Sequence, residues 1–127
     1  MATPAGQIVF HGKHLDTVTG QLIEAASYAV DVPALADGVS HPGTFQVVSE
    51  YDFELLETTH NFVGIADGAH VNVKLQIQAT NGRPWFIGKP IFINSISSQN
   101  AGLPRRQLVR RVIMAKTAVS VDITEAT

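Results

Sequence analysis

The sequence predicts a mainly β protein, an antiparallel β-sandwich or partial barrel with one short helix, folded as a single domain over residues 1–127. The first sign is a central hairpin over 71–96. Val71, Val73, Leu75, Ile77 and Ala79 alternate with Asn72, Lys74, Gln76 and Gln78, the period-two pattern of a strand with one buried face. Asn81-Gly82 follows, the dipeptide that best tolerates positive φ at both central positions of a type I′ turn, and an apolar run returns after it. The second sign is the alternation of Phe45, Val47, Ser49, Tyr51, Phe53 and Leu55 against Glu50, Asp52 and Glu54. The third is that of Val119, Val121 and Ile123 near the C-terminus.

The expected register of the hairpin contains a conflict. With Asn81-Gly82 as the turn, Ala79 opposes Pro84 and Val73 opposes Pro90, both at non-hydrogen-bonded positions. The prolines then withhold donors only on the outer side, so the return strand reads as a sheet edge or as bulged. Yet Phe86 and Phe92 occupy one face of it and Trp85, Ile87, Ile91 and Ile93 the other. An edge strand apolar on both faces aggregates unless something covers it. Trp85, Ile87, Ile91 and Ile93 are therefore candidate subunit-interface residues.

Residues 1–6 are small and polar enough for a loose arm, and Gln7–His11 reads as a short strand. Leu15–Thr19 is a turn region closed by Gly20. Leu22–Val32 is read as strand: its alanines would suit a short helix, but Tyr28, Val30 and Val32 share a face and Pro33 stops the run. Pro33–Thr44, with two prolines and two glycines, reads as a surface loop. Thr58 or Thr59 can cap a short helix through Phe62, Val63, Ile65 and Ala66, ended by Asp67-Gly68. After a loop at 97–104, Gln107–Lys116 supports two readings. Leu108, Val109, Val112 and Ile113 recur at helical spacing, but the β-branched content favours strand, and strand is preferred. Ala118–Ile123 is strand.

The chain is 45% apolar and only 16% charged, against a usual charged fraction of about 25%. A low-charge surface suits a protein that buries much of itself against copies or partners. The net charge of −2 gives no general reason for nucleic-acid affinity, and the lack of cysteine removes disulfides, thiolate metal sites and cysteine nucleophiles. No apolar run approaches the ~18–20 residues of a membrane span, and MATPAGQIVF lacks the basic start and apolar core of a signal peptide. His11 and His14 would face opposite ways on a strand and have no firm third ligand, so neither metal nor cofactor is expected. No nucleophile elbow, phosphate-binding glycine loop or His-Glu metalloprotease signature appears, and an enzyme is not expected.

Two charged stretches remain. Glu50, Asp52 and Glu54, with Glu57, form an acidic stripe; Arg105, Arg106, Arg110 and Arg111 form a basic cluster. They read as two solvated faces, or as complementary patches that join copies head to tail. A phosphate-binding patch has the right residue type but no interleaved aromatics.

The order of parts resembles the small tail tube proteins of contractile-tailed bacteriophages: a short strand and turn, a Gly/Pro loop, a strand entering a short helix, a central hairpin, and a last strand. The nearest echo is HNFVGIADGAHVNVKLQIQATNGRPWFIGKPIFINSIS. The resemblance implies a structural virion protein of the phage tail, made in the host cytoplasm. Its subunits close into hexameric rings and stack into a tube that conducts DNA without binding it specifically, inside a sheath protein and with no membrane partner. It makes Glu50, Asp52 and Glu54 candidates to line the lumen, and Arg105, Arg106, Arg110 and Arg111 candidates for contact with the next ring. A capsid decoration protein or other virion β-sandwich, and a cytosolic β-rich binding module, are the alternative expectations.

Overall fold

The computed structural model describes residues 2–80, 82–100 and 105–127, the stretch 105–109 by its backbone. In chain order the strands are β1 (Gly6–Asp16), β2 (Leu22–Val32), β3 (Ser40–Gln46), β4 (Tyr51–Phe62), β5 (Val73–Ala79), β6 (Ile91–Phe92), β7 (Ser98–Gln99), β8 (Arg105–Ile113) and β9 (Ala118–Glu125). One sheet runs β2-β1-β4, with β7 and β8 sharing the far side of β4; the other runs β3-β9-β5-β6. Pairing is antiparallel except for β4 with β7. The two sheets pack face to face as a sandwich, without barrel closure.

Period-two alternation builds the core from both sides. Val119, Val121 and Ile123 of β9 are fully buried, and so are Leu75 and Ile77, which lie opposite Ile123 and Val121 on β5. Ile8, Phe10, Phe53 and Phe62 answer from the first sheet. Each such side chain contributes about 1.5–3 kcal/mol by leaving water. Aromatic rings tie the layers together: Phe45 of β3 lies 4.9 Å from Phe10 and 5.3 Å from Tyr28, and Tyr28 meets Phe53 edge-on at 4.8 Å. At Gly43, opposite Val121, a Cβ would fall 2.5 Å from Val30 Cγ1, so glycine sets the spacing of the sheets there.

The strand readings of 22–32 and 118–123 agree with the structure, that of 107–116 holds as far as Ile113 before a turn at 115–116, and four further expectations are corrected. The short helix after Thr58 is absent. Glu57–Phe62 pairs with Gly6–His11, so Thr58, His60 and Phe62 alternate into the core, and that ladder outweighs the local capping signal. The described helical structure is limited to one 3₁₀ turn at Ile93–Ser95. The alternation over 45–56 belongs to two strands in different sheets, β3 and β4, with the chain crossing over at 47–50. Their inward residues share one core, so the pattern runs on through the crossing. Half of the expected 33–44 loop is strand, and the expected N-terminal arm is pinned at buried Thr3, whose N–H donates to the Leu35 carbonyl at 2.8 Å and whose carbonyl accepts from Leu35.

The hairpin survives in outline only. Its turn is closed by the Gly82 N–H on the Ala79 carbonyl at 2.9 Å, whereas a two-residue turn centred on Asn81-Gly82 would be closed between Thr80 and Arg83. Asn81 lies outside the described residues. Trp85 donates to the Ile77 carbonyl at 2.8 Å, but farther along Ile91 faces Leu75, where an unbroken ladder from an Asn81-Gly82 turn would put Gly88. Residues in 86–90 loop out, and the return strand shrinks to the two residues of β6. Gln76 holds this irregular stretch: its Nε2 donates to the Phe86 carbonyl (2.8 Å) and its Oε1 accepts from the Phe86 N–H (3.2 Å).

Candidate assembly surfaces

Among the described residues five strands lie at sheet margins; β7 is only two residues long, and three of the other four carry features that resist pairing with another chain. β3 contains Pro42, β6 is two residues long and preceded by Pro90, and β8 carries Arg105, Arg106, Arg110 and Arg111. β2 is long and proline-free, with Glu24 and Asp31 its only charges. Over eleven residues, LIEAASYAVDV, it holds no proline, glycine, lysine or arginine, and it pairs with β1 in unbroken register from Gly6↔Val32 to His14↔Glu24. Leu22, Ile23, Ala25 and Ala29 are exposed along it. The sequence reading sought the vulnerable edge in the return strand after the hairpin. The missed signal was a long strand with no proline, glycine, lysine or arginine and only Glu24 and Asp31 for charge, visible in the sequence once its place at the margin is known.

The residues expected at a subunit boundary separate. Ile87 is 89% exposed, and Ile91 is half-buried against β5. Ile93 is fully buried in the chain's own core, which removes it from any outer surface and corrects its assignment as an interface residue. Trp85 is half-buried beneath the Arg111 guanidinium, whose carbon lies 4.0 Å from the ring centroid. Burial pushes the Arg111 pKa down, and its Nε has no hydrogen-bond partner among the described residues, while its guanidinium stacks on the indole face.

The acidic and basic stretches meet within one subunit. Glu54 is 8% exposed; one carboxylate oxygen accepts from Arg110 Nε and the other lies 3.3 Å from Lys13 Nζ. The Arg110 hydrogen bond, with help from Lys13, holds the Glu54 carboxyl below the ordinary range against the opposing effect of burial. Asp52 accepts from the Ala115 N–H at 2.8 Å, fixing the β8–β9 turn. Glu50 is exposed and accepts from Ser49 Oγ at 2.9 Å. By backbone register Arg105 and Arg106 stand opposite Thr58 and Glu57; their side chains lie outside the described residues. The three acids are therefore not one free stripe. The extra residue Leu56, between the β1 partners of His11 and Gly12, forms a bulge that separates them from Glu57.

That bulge also opens a cleft of about 660 Å³ on the outer face of the first sheet, lined by His11, Ser27, Glu57, Leu56 and Arg110. His11 bridges strands across it, with Nε2 2.8 Å from Thr59 Oγ1 and Nδ1 3.1 Å from Ser27 Oγ. His14 points inward to Tyr28 Oη at 2.7 Å. The two histidines share no ligand position, and no cluster of three metal-ligating side chains occurs among the described residues. Comparison with protein-family models, curated proteins and solved structures finds no match.

Proposed function

We propose that this chain is a non-catalytic structural subunit that assembles with copies of itself. The assembly it fits best is the tail tube of a contractile-tailed bacteriophage. The observation that carries this reading is the bare β2 edge. β2 pairs only with β1 among the described strands, in regular register from Glu24 to Val32, and its open side runs beside exposed leucine, isoleucine and alanine. Such an edge is a template for another strand, and a protein that leaves it open has a partner strand for it.

The all-strand character of Arg105–Ile113 also favours the tube resemblance, which needs a strand there. The helix that formed part of that resemblance is strand instead, so the sandwich and its edge now bear the weight. In this reading the rings stack inside a sheath protein and DNA passes without specific contact. Glu50 and Asp52 remain acids for a lumen, while Glu54 is neutralised inside the subunit.

The binding-module alternative draws on the outer-face cleft at His11, whose volume suits a small ligand. Electron microscopy of concentrated protein distinguishes the two. Rings or hollow tubes are expected; a field of single particles with no ordered assembly would overturn the tube reading and favour the module.

A further inference from the structure

Two surfaces far apart in sequence carry exposed apolar side chains and opposite charge. The β1–β2 turn presents Val18, 90% exposed, and Leu22, 63% exposed, with Ile23 beside them at 43%. From Leu15 to Glu24 the chain holds two carboxylates, Asp16 and Glu24, and no lysine or arginine. The turn is rigid: Asp16 Oδ1 accepts from the N–H groups of Val18 (2.8 Å) and Thr19 (2.9 Å), and the Asp16 carbonyl accepts from Gly20 (2.9 Å). An ordered tip loses little conformational freedom on docking.

The second surface is a groove of about 370 Å³ between the hairpin loop and the β8–β9 turn. Trp85, Ile87, Val112 and Met114 give it an apolar floor and rim, with Ile87 89% and Met114 67% exposed. Arg83 and Arg111 also line it, and no carboxylate does. Asp52 lies near the same turn and keeps its charge while accepting from the Ala115 N–H, so two arginines against one carboxylate leave the groove region net positive.

We propose that the β1–β2 tip of one copy docks into the Trp85–Met114 groove of the next, apolar residues against apolar residues and acids against arginines. The contact joins two different surfaces, so it is heterologous and propagates from copy to copy. It rests on the self-assembly reading and names one of the contacts that assembly uses, alongside the β2 edge.

The test uses two full-length double variants at exposed positions, with thermal melts confirming that each is folded. One replaces the tip (Val18→Ser with Leu22→Ser), the other the groove (Ile87→Ser with Met114→Ser). Removing this apolar area weakens docking by at least about tenfold. Light scattering should show wild-type protein growing with concentration while each variant stops at a fixed unit. An equimolar mixture keeps one intact tip facing one intact groove, so it should give twice that unit. Added salt should shrink the doubled species, because the arginine–carboxylate attraction is screened. Wild-type growth retained by the groove variant, or a mixture that fails to double, overturns the tip-in-groove contact and leaves self-assembly standing. A wild type that never grows overturns both.

Discussion

His60 is a histidine kept from its proton by its surroundings. The residue is 2% exposed, Nδ1 shares a 2.6 Å hydrogen bond with Ser97 Oγ, and Nε2 has no partner among the described residues. Burial lowers its pKa from 6.5 to about 4. Between those values the unfolded chain binds a proton that the folded chain refuses, so stability falls as pH drops from about 6.5 to about 4. The loss is on the order of 3 kcal/mol. Denaturant titrations at pH 7 and pH 4.5 should show it, and His60→Asn should flatten most of the difference. An unchanged slope in the variant would mean that another group carries the dependence. Glu125 acts in a separate, lower window. Burial tends to raise its carboxyl, but hydrogen bonds from Gly38 and Thr127 hold it down to about 2, so its stabilising share is lost only as pH falls below about 4.5. Gly12 marks a steric limit at the same scale. A Cβ there would sit 2.0 Å from the Glu54 carbonyl oxygen and 2.8 Å from the Phe53 ring. Gly12→Ala should therefore cost about 1–3 kcal/mol, measured by thermal or chemical unfolding, because backbone must move.

At the scale of elements, β7 depends on one side chain. Gln99 is fully buried; its Oε1 accepts from the Phe62 N–H at 3.1 Å, and its Nε2 donates to the carbonyls of Phe62 (3.0 Å) and Ile65 (3.1 Å). Gln99→Leu keeps the bulk but orphans the buried Phe62 N–H and takes one of two donors from each of the Phe62 and Ile65 carbonyls, which should cost about 1–3 kcal/mol. Amide exchange should accelerate first around Phe62 and Asn100, whose N–H donates to the His60 carbonyl. β2 gives the complementary test. Ala25→Lys with Ala29→Lys adds two charges to an exposed margin, so the melting temperature should hardly change while assembly weakens at least about tenfold. A loss of folding with no effect specific to assembly would show that β2 matters only within the subunit. β2 itself was legible: its bounds follow from Pro33 and the shared face of Tyr28, Val30 and Val32. Its place at the margin was not, because strand order is set by long-range pairing, here β1 with β2 on one side and β4 on the other. The helix expected after Thr58 failed for the same reason, since its residues met β1 rather than water.

For the whole molecule, alternation was enough to foresee a β-sandwich, because inward and outward residues stay on their own faces whichever sheet a strand joins. Phe45 and Phe53 show the limit. They share a core from opposite sheets, and periodicity alone could not place the crossing between them. The charged stretches illustrate the same limit at the surface. Glu54 and Arg110 are complementary as expected, but the fold spends that complementarity inside one subunit. The surfaces the proposed assembly would use are the proline-free β2 edge and the exposed apolar residues at the β1–β2 turn and beside Trp85. Self-assembly is thus the central claim, and molar mass measured by light scattering over a wide range of protein concentration tests it most directly. The mass is predicted to rise in multiples of 13.7 kDa toward rings or longer stacks. A constant 13.7 kDa at every concentration and salt would contradict the account.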